Sequence, residues 1–148
     1  MSTQPEVVRL TQQADYRFEC DFGPGKPAWQ VDEPPPLGQG SGPSPTQLLA
    51  AAVGNCLSAS LLFALRKFKQ QPEPISCEVQ PEVGRNEQGR LRVLGIAVTL
   101  RLGRPAAELQ YLDRVLASFE AYCTVTQSVG AAFPVTVKVF DAGGVQLK

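Results

Sequence analysis

The chain has 148 residues, a formal charge of zero and no histidine. Neutrality removes the electrostatic case for nucleic acid or an anionic membrane surface as a partner. Without imidazole, Ser-His-Asp and Cys-His nucleophile pairs, His general bases and His-ligated metals are excluded.

The length suits one domain over residues 1–148, with enough chain for a real core. Met1-Ser2-Thr3-Gln4-Pro5-Glu6 has neither the basic region nor the apolar run of a signal peptide, so a cytoplasmic location is expected. Val7-Val8-Arg9-Leu10 reads as a short first strand. Tyr16, Phe18, Cys20 and Phe22 alternate with Arg17, Glu19 and Asp21, the period of a half-buried strand. That puts Cys20 on the apolar face and Arg17 on the other. Gly23-Pro24-Gly25-Lys26-Pro27 is a turn, and Trp29-Gln30-Val31 a third short strand. The run from Asp32 to Ser44, rich in Pro and Gly, reads either as a plain linker or as a functional loop.

From Pro45 to Leu65 there is no charge, and Arg66, Lys67 and Lys69 follow. Pro45 suits a first helical turn, and Ser44 with Gln47 has the spacing of a capping box. The basic end complements the helix dipole. The expectation is one helix of about 20–25 residues, apolar almost all round and therefore covered on every side. Its length nearly suffices to cross a bilayer, but Ala, Gly, Asn and Ser dilute it, and a core helix is expected instead.

Gln71-Pro72-Glu73-Pro74 stops the helix. Ile75, Cys77 and Val79 alternate with polar residues as a strand, and Asn86-Glu87-Gln88-Gly89 forms a hairpin turn. Leu94, Ile96, Val98, Leu100 and Leu102 line one face of a long strand. Ala106 to Tyr122 has helical periodicity, Thr124 to Val129 allows one short turn of helix, and Val135, Val137 and Val139 mark a last strand. Strands in adjacent groups predict antiparallel sheets and an α+β fold. One small sheet cannot cover a helix apolar all round, so a homodimer is expected, its central helices enclosed by both subunits' sheets.

The chemistry then falls to four thiols, none in a Cys-x-x-Cys pair. Lack of paired spacing argues against a zinc site. Cys20 and Cys77 read as small buried hydrophobes on strands. Cys56 has Gly54, Asn55 and Ser58 beside it, which leaves room at the sulfur, although a packed core thiol is equally compatible. Cys123 lies ahead of a short helix whose N–H groups favour a thiolate; a thiol packed at a helix junction fits as well.

Pro43-Ser44-Pro45-Thr46-Gln47-Leu48-Leu49-Ala50-Ala51-Ala52-Val53-Gly54-Asn55-Cys56-Leu57 resembles the central-helix motif of the osmotically inducible protein C / organic hydroperoxide resistance (OsmC/Ohr) family. Asp32-Glu33-Pro34-Pro35, with Gly38 and Gly42-Pro43, is similar to the lead-in of one OsmC-like branch. Tyr122-Cys123-Thr124-Val125-Thr126-Gln127-Ser128-Val129 resembles the family's second cysteine motif. The resemblance implies an intertwined homodimer with active sites at the subunit interface. It implies a thiol peroxidase that reduces organic hydroperoxides, with Cys56 peroxidatic and Cys123 resolving, an external dithiol as reductant and no cofactor or metal. Family members place a Glu before the Leu-Leu pair and couple it to an Arg beside the thiolate. Here Thr46 and Gln47 stand there, and Gln47 accepts a hydrogen bond but cannot form an ion pair. Arg17 is the best-placed Arg, with a solvated strand-face charge as its other reading. The alternative function is a non-catalytic OsmC-like protein that binds an apolar small molecule or senses redox state through Cys56.

Overall fold

A computed structural model describes residues 6–148. The chain divides into two compact units, one ending at Leu48 and one running from Leu49 to Lys148. The first strands are β1 (Arg9–Ala14), β2 (Arg17–Asp21) and β3 (Trp29–Val31). They form an antiparallel sheet in the order β1-β2-β3. The first strand thus begins at Arg9, later than the Val7–Leu10 run suggests. Cys20 and Val31 are buried, whereas Leu10 and Trp29 stay about half exposed.

The Pro- and Gly-rich run after β3 is an ordered loop built on one carboxylate. Asp32 accepts the N–H groups of Glu33, Gln39 and Ser41 and the Ser41 hydroxyl, at 2.8–3.1 Å. The Asp32 N–H donates to the Pro43 carbonyl at 3.2 Å, which brings the two ends of the loop together. Burial works against the Asp32 charge, but the hydrogen bonds from Ser41, Gln39 and Glu33 win and hold its pKa below the ordinary carboxylate value.

Helix α1 (Pro45–Lys67) starts on the expected capping box. Gln47 N–H donates to Ser44 Oγ at 3.2 Å, and Gln47 Oε1 accepts the Ser44 N–H at 3.0 Å. In length and composition α1 meets the requirement for a membrane span. Within the chain, however, it buries a single stripe: Ala50, Val53, Gly54, Leu57, Leu61 and Leu65. Ala51, Ala52, Asn55, Ala59 and Phe63 on its other sides are exposed, Phe63 by 70%. Coverage on every side is therefore not achieved by this chain alone, because one three-stranded sheet presents one face.

That sheet comprises β4 (Ser76–Arg85), β5 (Leu91–Arg101) and β6 (Val135–Phe140), in the order β4-β5-β6. The β4–β5 hairpin turns at Asn86–Gly89 as expected. An irregularity beside Glu82 and Val83 leaves Leu94 without a register partner and reverses the alternation of β5. Ile96, Val98, Leu100 and Leu102 line the core, but Leu94 is 40% exposed and lies over Gly84 on the other side. The expectation of purely antiparallel sheets also fails here. β6 runs parallel to β5, because a crossover through residues 102–134 separates them instead of a hairpin.

The crossover corrects a further expectation. Ala106 to Tyr122 is a 3₁₀ turn (Ala106–Glu108), a break, helix α2 (Leu112–Ser118) and a second 3₁₀ turn (Phe119–Tyr122). Tyr111 interrupts it with φ 63°, its ring stacked on Phe68 at 4.9 Å, and the Gln110 N–H goes to Gln70 Oε1 at 2.9 Å. Contacts with the chain beyond α1 thus override local helical preference. The short α3 (Thr124–Val129) follows, as anticipated.

Helix α1 rests on β4 at Gly54. A Cβ there would stand 2.5 Å from Val79 Cγ2 and 3.3 Å from Cys77 Sγ. Val is stiff at χ1 and cannot swing clear. Gly54→Ala is expected to lower stability, since overpacking of about 1–3 kcal/mol exceeds the helix-propensity gain of about 1 kcal/mol. Adding Val79→Ala should recover part of that loss, read by urea unfolding at fixed protein concentration. For the Asp32 loop, the lowered pKa means the stabilisation is complete above the unfolded value, about 3.9. It is lost as pH falls through the folded one. Amide protection at Gln39 and Ser41 should collapse only below about pH 4, and Asp32→Asn should reduce it already at neutral pH.

Candidate active site

Cys56 lies midway along α1, next to the fully buried Leu57. It is half-buried and packs against the core cluster. Cys123 occupies the N-cap position of α3 with extended backbone and no solvent exposure. The two thiols, far apart in sequence, lie close enough in the fold for Cys56 to raise the pKa of Cys123. Both are free. Two sequence facts create the meeting: Gly54 lets α1 settle on the sheet, and the broken crossover returns the chain to α1 at Cys123.

Cys123 has a second polar contact. Its Sγ donates to Thr126 Oγ1 at 3.0 Å, and Thr126 is itself buried, with 6% exposure. Burial pushes the Cys123 pKa up, and the neighbouring Cys56 adds to the rise; the Thr126 hydroxyl and backbone N–H oppose it without reversing it. Cys123 is accordingly a neutral thiol at physiological pH. The spacing of an N-cap and its third helical residue was visible in Cys123-Thr124-Val125-Thr126, yet the sequence reading assigned no role to Thr126.

Cys77 faces α1 from β4 but is only half-buried, less than the buried strand position expected for it. Burial again raises its pKa; Ser58 opposes this and the Glu78 charge adds to it. Cys20 is buried on β2. Among the described residues no group of three or more Cys, Asp or Glu side chains is arranged to hold a metal ion.

Gln47 and Arg17 belong to the smaller unit. The Gln47 amide is engaged in the capping box. Arg17 is half-buried at the start of β2, lines a small cleft with Tyr16 and Asp32, and has no salt bridge among the described residues. In the larger unit, Phe63, Phe68, Arg114 and Tyr122 border an open groove of about 430 Å³. Tyr122, next to Cys123 in sequence, is 75% exposed.

The family model described as OsmC-like protein matches residues 38–138. Among solved structures, the fold is similar to an OsmC-like protein of unknown function from Vibrio cholerae. The TM-score is 0.78 at 15% identity, covering 93% of this chain and 100% of that one. It is also similar to a Legionella pneumophila protein described as organic hydroperoxide resistance protein OsmC. There the TM-score is 0.73 at 16% identity, with 94% and 98% of the two chains covered. The organic hydroperoxide resistance protein OhrB of Bacillus subtilis has a TM-score of 0.69 at 15% identity, covering 90% of this chain and 97% of that one. No curated protein matches the sequence directly.

Because Cys56 contributes to the upward shift at Cys123, Cys56→Ala should bring the Cys123 titration down toward that of an ordinary thiol. Cysteine-selective ¹³Cβ NMR against pH measures it; an unchanged Cys123 curve would mean that the two sulfurs do not interact.

Proposed function

Since the chain belongs to the OsmC-like family, we propose that it is a thiol peroxidase that reduces organic hydroperoxides to alcohols, with Cys56 as the peroxidatic and Cys123 as the resolving thiol. The observation that carries the reading is the convergence of these two sulfurs in the fold, close enough for Cys56 to raise the Cys123 pKa. The Legionella and Bacillus proteins, described as organic hydroperoxide resistance proteins, point to the same substrate class.

In this reading the Cys56 thiolate attacks the terminal oxygen of R–O–O–H. The O–O bond breaks, the alkoxide takes up a proton and leaves as the alcohol, and Cys56 becomes a sulfenic acid. Cys123 sulfur then attacks Cys56 sulfur. The S–S bond forms, the S–O bond breaks, and the Cys123 proton leaves with the oxygen as water. An external dithiol reduces the disulfide by exchange, so no cofactor or metal enters the cycle. The elevated Cys123 pKa suits this division of labour, because the resolving thiol waits protonated until the sulfenic acid exists.

The uncovered apolar side of α1, where Phe63 is the largest exposed side chain, supports a homodimer in which a second copy covers that side. The groove bordered by Phe63 and Tyr122 is then an apolar place for the organic part of the peroxide. Arg17 is proposed as the cation of the site. Gln47 stands at the place of the family acid and supplies no charge to hold that Arg, so slower turnover than in Glu-bearing relatives follows. Catalysis is placed in the cytoplasm, where dithiol reductants are available. The second reading, an apolar-ligand carrier or redox sensor, draws on the engagement of the Gln47 amide in the helix cap.

The test uses anaerobic, reduced protein and one equivalent of cumene hydroperoxide. Two thiols should disappear, and a Cys56–Cys123 crosslinked peptide should appear in mass mapping. Thiols that persist unchanged while an apolar probe binds would favour the carrier. Light scattering should return twice the 15.9 kDa chain mass.

A further inference from the structure

We propose that Thr126 is the partner through which Cys123 is aimed at Cys56 and made nucleophilic when the disulfide closes. The inference rests on the thiol-peroxidase reading and adds a residue to it. The hydroxyls of Ser58, Ser118 and Ser128 each donate to the carbonyl four residues back, the ordinary way for a helical hydroxyl to find a partner. Thr126 does otherwise: its buried oxygen faces the Cys123 sulfur at 3.0 Å. A hydroxyl both accepts and donates, and its proton rotates to suit. In the resting site Thr126 Oγ1 accepts from the Cys123 S–H. When Cys123 gives up its proton to attack, the same hydroxyl turns and donates to the thiolate, the stronger, charge-assisted bond.

The step it serves balances without another reactant. Cys123–SH and Cys56–SOH become Cys56–S–S–Cys123 and water: one S–S bond forms, one S–O bond breaks, and the Cys123 proton ends on the departing oxygen. Thr126 is unchanged. Its β-branched side chain has few χ1 rotamers, and the one that faces Cys123 holds the sulfur's direction as well as its charge. Direction matters because exchange reactions at sulfur require the two atoms to approach on a narrow path.

Thr126→Val keeps the shape and removes the hydroxyl; Thr126→Ala removes it without the second methyl; Thr126→Ser restores it. After stoichiometric cumene hydroperoxide, disulfide closure is followed by stopped flow and by the lifetime of the dimedone-trappable sulfenic acid, across pH. The expected result is closure about tenfold slower in Thr126→Val and Thr126→Ala. The rise of rate with pH should move to higher pH, the Cys123 ¹³Cβ titration should move the same way, and Thr126→Ser should return all three. Wild-type rates, pH profile and titration in both hydroxyl deletions would overturn the inference while leaving the peroxidase reading intact. If the unaltered protein forms no disulfide, that reading fails and the inference with it.

Discussion

At one point, Gly54, helix α1 presents no side chain to the sheet. There the helix backbone comes down onto Val79 and Cys77, and a single added carbon would collide with the valine methyl. This close approach fixes the height of α1 above β4 and β5. With it go the stripe from Val53 to Leu65 that fills the core and the position of Cys56 just after Gly54. The crossover completes the arrangement from the opposite direction. Val115, Leu116 and Phe119 anchor α2 in the same core, and the chain leaves Phe119 in a tight turn that delivers Cys123. The sulfur pair is therefore held by packing on both sides, and its geometry depends on a small residue in one element and a broken helix in the other.

Much of the frame was legible because local chemistry and final structure agree. Ser44, Pro45 and Gln47 announce the start of α1, and Arg66 and Lys67 its end; the helix runs from Pro45 to Lys67 with that capping box in place. The apolar alternation of β5 is right from Ile96 onward. It is reversed at Leu94, because a bulge depends on pairing with β4, which no single-strand period reports. The long crossover looked like one helix because Leu112, Val115, Leu116 and Phe119 keep helical spacing. What breaks it is Tyr111, held by Phe68 from a distant part of the chain. The parallel placement of β6 was hidden for the same reason: strand direction follows from where the crossover travels.

The site shows a similar division. The resemblance singles out Cys56 and Cys123, and in the fold Cys56 is near enough to raise the Cys123 pKa. Gln47 was read as the stand-in for an acid; in the fold its amide already serves the helix start, which explains how a neutral residue is accommodated there. Thr126 passed unnoticed because a threonine in a short helix carries no distinctive signal. Only the direction of its hydroxyl distinguishes it, and direction is a property of the assembled site. The Asp32 loop was equally ambiguous in sequence, and became definite once four donors were seen to converge on one carboxylate.

The parallel seat of β6 also orders events during biosynthesis. A ribosome releases Cys56 well before it has made the crossover that brings Cys123 back to it, and the sheet cannot gain its third strand until that crossover is complete. The nascent chain therefore passes through an interval in which the mid-chain sulfur has no mate and the β4–β5 hairpin offers a bare edge. Maturation ends both conditions together: the strand that closes the sheet follows directly on the segment that carries the second sulfur.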